Sequence, residues 1–147
     1  MVSGINGKTR LSLSDRVRIL EDKDAIREFK ARYAYTLDIQ DLDGWLDLFA
    51  EDGSFELGSV GHYQGNNDLR TLLESIVFPS RPFFTHMYLD PIIEILGRTK
   101  AKGTWYMFGP ETVIVKGEKK AVWACLRYDD EYVKIKGQWK FKSINVT

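Results

Sequence analysis

The chain has 147 residues, a length for one domain whose core needs no disulfide or metal staple. Its 21 Lys and Arg balance its 21 Asp and Glu, and a net charge of zero without a long basic run removes the electrostatic footprint of a nucleic-acid binder. The single cysteine, Cys125, excludes an internal disulfide and fits a reducing compartment.

Residues 1–13 are expected to form an N-terminal arm, and 14–147 one domain. Met1 to Arg10 is polar, with no apolar signal core. No stretch approaches the ~20 apolar residues of a membrane span, so no membrane partner is expected and the cytoplasm is the expected location. Ser14 or Asp15 caps a first turn ahead of Val17. Ile26, Phe29, Tyr33 and Leu37 recur on one helical face, which predicts a helix over about residues 22–39. Asp41 caps a short helix through Trp45, Leu46 and Phe49, and Glu51-Asp52-Gly53 turns into a strand over Ser54 to Leu57. Gly58, Gly61 and Gly65 make the next connection, and a third helix starts at Asn66 or Asn67 and is closed by Pro79 and Pro82.

Everything after Pro82 reads as sheet. Residues 83–89 and 92–96 form one strand, interrupted near Pro91. Thr99 to Phe108, Thr112 to Val115, Ala121 to Tyr132 and Gln138 to Val146 follow, with turn residues at Gly97, Lys116-Gly117 and Gly137. Short turns imply antiparallel pairing, and helices before strands imply an α+β fold: N-terminal helices packed on a strongly curved sheet, a cone with an open end that forms a pocket.

His86 is the residue best suited to chemistry. It is one of two histidines and stands in the aromatic strand Phe83-Phe84-Thr85-His86-Met87-Tyr88-Leu89. Imidazole takes and returns protons near neutrality. Strand alternation places Phe84, His86 and Tyr88 on one face. Asp38, in the last turn of the long helix, is the expected partner that orients the imidazole and balances its charge. Tyr33 on the same helix is the expected hydrogen-bond donor to a substrate oxygen. The two lie five residues apart, about 140° around an ideal helix, so both face one pocket only if the helix crosses it broadly.

The substrate pocket is assigned to Phe84, Tyr88, Trp105 and Arg127. Arg127, Asp129 and Asp130 crowd one strand, as a surface ion-pair cluster or as a polar pocket wall. His62 reads as a rim or loop residue. Trp105, Trp123 and Trp139 read as a stacked core. No phosphate loop or nucleophile elbow is present, and no metal-ligand spacing, so no metal is expected.

Several segments carry a resemblance: Phe29 to Asp38, Trp45 to Gly53, Tyr63-Gln64-Gly65, Thr85-His86-Met87, Lys102 to Tyr106, and Tyr132 through Trp139. Over roughly residues 22–146 the chain resembles the SnoaL-like branch of the nuclear transport factor 2-like superfamily. That branch holds cofactor-free dehydratases, a dehydrochlorinase and polyketide cyclases. The resemblance implies a cone-shaped α+β barrel, no cofactor, a homodimer or homotrimer, and a small cyclic, mostly apolar substrate. Tyr33, Asp38 and His86 match the pocket residues of the dehydratase-like members. That pattern also has an Asp at the end of the strand after the His, where this chain reads Phe108-Gly109-Pro110. The expected function is a lyase of dehydratase type, with an isomerase or cyclase, or a domain that only binds or assembles, as alternatives.

Overall fold

The computed structural model describes residues 11–147. Helix α1 spans Leu13–Asp38 and is capped by Ser12, whose Oγ accepts from the Asp15 amide at 3.0 Å. It starts well before the predicted residue 22. The apolar residues of the first turns, Leu13, Val17 and Leu20, stay exposed, but Asp22 accepts from Arg18 one turn away and from Lys134 on the sheet, which docks this end of the helix. The predicted arm lies outside the described residues except for its last three.

Helix α2, Leu42–Leu46, is capped by Asp41 as expected. It leads into β1 (Phe49–Leu57) and β2 (Gly61–Gln64). Helix α3 (Gly65–Thr71) continues through a wide π-turn at Leu72–Val77 into α4 (Phe78–Ser80). Pro82 disfavours helical geometry at Arg81, which is extended at φ −133° and ψ 80°.

The remaining strands are β3 (Phe83–Phe84), β4 (Met87–Ile95), β5 (Lys100–Val115), β6 (Glu118–Ile135) and β7 (Gln138–Val146). They form one curved sheet of seven strands in the order β2-β1-β7-β6-β5-β3, with β4 also paired to β5. All described pairs are antiparallel except β1 with β7. The sheet is not closed, and α1 packs across its concave face. This is the α+β cone expected from the element order.

Two differences from the sequence reading bear on the site. The predicted strands 99–108 and 112–115 are one strand, because β5 runs straight through Pro110. The Pro110 carbonyl accepts from the Thr85 amide at 3.1 Å, and its ring nitrogen needs no partner on that edge because the neighbouring chain leaves the ladder there. The aromatic strand breaks at Thr85-His86, between β3 and β4, while near Pro91 there is a register shift with Asp90 at φ 46°.

Tyr33, Trp45, Leu72, Met107, Tyr132 and Phe141 lie at the centre of the core. Trp105 and Trp139 join it, but Trp123 does not: it faces outward, 66% exposed, stacked on Phe108. A charged pair is also buried there. Lys30 Nζ donates to Asp130 Oδ2 at 2.7 Å, and Tyr132 Oη donates to the same oxygen at 2.7 Å.

Candidate active site

The break in the aromatic strand builds the site. Glycine at 109 lets the departing chain press against β5, because a methyl group there would overlap the Thr85 carbonyl oxygen. With its amide freed from the ladder, His86 meets the end of α1. Its backbone N–H donates to both Asp38 carboxylate oxygens, at 3.2 and 3.1 Å, and its Nδ1 lies 2.7 Å from Asp38 Oδ1. Asp38 is in the last turn of α1, where the helix dipole disfavours a carboxylate; these donors compensate for it.

The His86 side chain is 8% exposed and that of Asp38 20%. Phe84 meets the imidazole edge-on at 5.2 Å between centroids, and Tyr88 stacks on it at 6.1 Å. In the neutral ring a carboxylate at Nδ1 favours the tautomer with its proton there, in which Nε2 is the acceptor.

His86 lines two spaces. One is an interior cavity of about 160 Å³, walled by Tyr33, Phe55, Phe84, Met107, Leu126 and Tyr128, with Arg81 and Glu111 among its lining. The other is a groove of about 630 Å³ between α1 and β4, lined by Lys30, Asp38, Tyr88 and Trp105. The five-residue spacing on α1 is thereby accommodated: Tyr33 faces the interior and Asp38 the groove, with the imidazole between them.

Of the predicted pocket residues, Phe84 lines the interior cavity, while Tyr88 and Trp105 line the groove. Trp105 Nε1 donates to Tyr132 Oη at 3.0 Å. Arg127 lines neither space. Alternation along β6 turns it to the outer face, where it pairs with Asp129 at 3.0 Å. His62 is exposed, 3.6 Å from Glu56. The three charged residues once grouped together therefore divide: Arg127 and Asp129 pair with each other, and Asp130 is buried against Lys30.

Burial pushes the Tyr33 hydroxyl well above the ordinary phenol range, with Tyr128 and Asp130 adding to it. Tyr88 is raised in the same way, and Tyr128 to about 12. These phenols keep their protons, so each has an O–H to donate as well as an oxygen that accepts. The Lys30 ammonium lies 4.3 to 4.8 Å from the ring centroids of Tyr33, Tyr88 and Tyr128. Burial lowers its pKa, and Asp130 opposes that shift.

The sequence reading missed two groups. Lys30 lies inside the apolar stripe of α1, one turn after Ile26 and three residues before Tyr33, and a charge inside such a stripe is the signal that marks a buried pair. Glu111 continues the inward alternation Ala101, Gly103, Trp105, Met107, Gly109 of β5, which becomes visible only when the strand is carried through Pro110. Among the described residues no group of His, Cys, Asp and Glu is arranged to hold a metal ion, and no helix is long and apolar enough to cross a membrane.

Solved structures share this fold. A hexachlorocyclohexane dehydrochlorinase of type 2 superposes with a TM-score of 0.82 at 18% identity, over 90% of this chain and 88% of that one. The type 3 enzyme from Novosphingobium barchaimii LL02 gives 0.81 at 20%, over 90% and 89%. A protein provisionally described as a scytalone dehydratase, from Novosphingobium aromaticivorans, gives 0.80 at 23%, over 89% and 86%. A search of curated proteins finds no match. Residues 18–145 match the SnoaL-like domain, and the chain belongs to that family, within the nuclear transport factor 2-like superfamily.

Proposed function

We propose that the protein is a cofactor-independent lyase acting on a small cyclic, mostly apolar substrate. His86 Nε2 removes a proton from a ring carbon. The electron pair of that C–H bond forms the new double bond, and the leaving group departs with its own pair. Asp38 holds the tautomer and balances the imidazolium. Tyr33 donates a hydrogen bond to the oxygen that gains charge or leaves. The proton then passes from His86 to water or to the departing hydroxide.

The observation that carries this reading is the 2.7 Å contact between His86 Nδ1 and Asp38 Oδ1, with His86 also lining a mostly apolar pocket. The names of the fold neighbours, a dehydrochlorinase and a dehydratase, support elimination as the reaction class. Exposed apolar side chains on the outer sheet face support assembly as a homodimer or homotrimer, and the unpaired, exposed Cys125 fits a cytoplasmic location.

The test is turnover of cyclic hydroxyketones and hexachlorocyclohexane, followed by water or chloride release. Both His86→Ala and Asp38→Asn are expected to slow elimination at least about tenfold, since a general base contributes about 10²–10⁴-fold. Variants that match the wild type exclude the dyad. Turnover with no loss of water or halide identifies an isomerase or cyclase instead.

A further inference from the structure

The interior cavity has a second polar end. Arg81, at the exit of α4, and Glu111, on the inner face of β5, both line it. Arg81 Nε donates to Glu111 Oε2 at 3.2 Å, and Arg81 Nη1 to Ser80 Oγ at 3.3 Å. A guanidinium has five N–H donors, so three remain without a partner among the described residues. Glu111 is almost fully buried and Arg81 partly so, a rigid pair rather than a flexible surface one.

Charge and volume then narrow what this end accepts. Glu111 neutralises Arg81, and the Asp38 carboxylate stands behind His86, so the charged groups around the cavity leave no surplus positive charge for an anion. A neutral acceptor oxygen uses the free N–H donors without burying an unpaired charge. The cavity is about 160 Å³. An apolar cavity of roughly 150 Å³ holds one benzene ring, so this pocket, lined by both His86 and Arg81, has room for a single ring.

We propose that Arg81, held by Glu111, is a specificity-determining residue that binds the carbonyl oxygen of an uncharged one-ring substrate. This deepens the lyase reading and rests on it only in taking this cavity as the substrate site. A carbonyl held by the guanidinium makes the adjacent C–H more acidic, and His86 lines the same pocket.

Binding of three probes to the full chain, by protein-observed NMR titration, tests it without turnover. Cyclohexanone is expected to bind about tenfold tighter than its isostere methylenecyclohexane, the worth of one hydrogen bond to a charged donor. Cyclohexanecarboxylate is expected to bind more weakly than the ketone. In Arg81→Met the ketone preference is expected to fall to within about twofold, while Arg81→Lys keeps part of it. In Glu111→Gln the unmasked guanidinium is expected to strengthen carboxylate binding about tenfold. The proposal is overturned if wild type shows no ketone preference, if it prefers the carboxylate, or if Arg81→Met retains the preference. Should Arg81→Met fail to fold, the wild-type and Glu111→Gln comparisons still decide. His86→Ala is expected to keep the ketone preference, so failure of the dyad and failure of Arg81 read out separately.

Discussion

At the residue scale, the least expected feature is an ammonium fully enclosed by aromatic rings. Lys30 is held by Asp130, and burial drives the two pKa values towards neutrality: Lys30 down, Asp130 up, each opposed by the other's charge. Such a pair is costly to break and cheap to replace as a unit. Lys30→Met leaves a buried carboxylate with only the Tyr132 hydroxyl and is expected to cost about 3–5 kcal/mol, read as a lower urea midpoint. Lys30→Met with Asp130→Leu is expected to recover most of that loss. The four buried phenols make a second prediction. Tyr33, Tyr88 and Tyr132 are raised well above 10 and Tyr128 to about 12, with burial as the main cause in each. A pKa raised in the folded state contributes stability that is present below the unfolded value and lost as pH climbs through the folded one. Stability is therefore expected to fall from pH 10 upward, by roughly 1.4 kcal/mol per pH unit per phenol. Phenolate absorbance should show these groups ionising together with unfolding; a smooth titration of all seven tyrosines ahead of unfolding would contradict it.

At the element scale, the site depends on where one strand stops pairing. Helix α1 was legible from the stripe Ile26, Phe29, Tyr33, Leu37, because a 3.6-residue period survives as an apolar pattern. Its first two turns were legible only as a capped turn ahead of Val17, since their apolar residues stay exposed and Asp22 contacts with Arg18 and Lys134 dock this end. The meeting of Asp38 with His86 was foreseen from chemistry and family pattern. Its cause, the chain leaving the ladder at Thr85, was hidden, because the aromatic run reads as continuous strand and the decisive residue is a glycine on another strand. Gly109→Ala tests this account. The methyl group must displace the Thr85 carbonyl, so the variant is expected to lose about 1–3 kcal/mol, typical of overpacking. The His86 ring signals in NMR are expected to shift as the Asp38 contact loosens. An alanine variant with unchanged midpoint and unchanged His86 signals would show that the close approach does not hold the imidazole.

At the scale of the whole molecule, the sheet presents two unlike faces. The concave face buries α1, the cavity and the lysine pair. The convex face carries Met87, Leu89, Tyr106, Phe108 and Trp123 on β4, β5 and β6, all exposed, with Phe108 and Trp123 stacked at 4.9 Å. Strand alternation makes this inevitable once register is set: residues paired across β4, β5 and β6 point the same way, so apolar residues at those positions gather into one patch. The sequence reading took Trp123 for core because apolar alternation does not say which face is inward. Contiguous exposed apolar patches mark contact surfaces more often than a chance scatter does, and the oligomeric state tests this one. If that face joins the subunits, the wild type should sediment as a dimer or trimer at micromolar concentration. Trp123→Lys should then shift the chain to monomer with unchanged far-ultraviolet dichroism, because a desolvated lysine in the contact costs more than one aromatic contact gains. Cavity binding of cyclohexanone should survive in that monomer, since none of these five side chains lines the interior cavity. A wild-type monomer at those concentrations would mean that the patch serves a different partner.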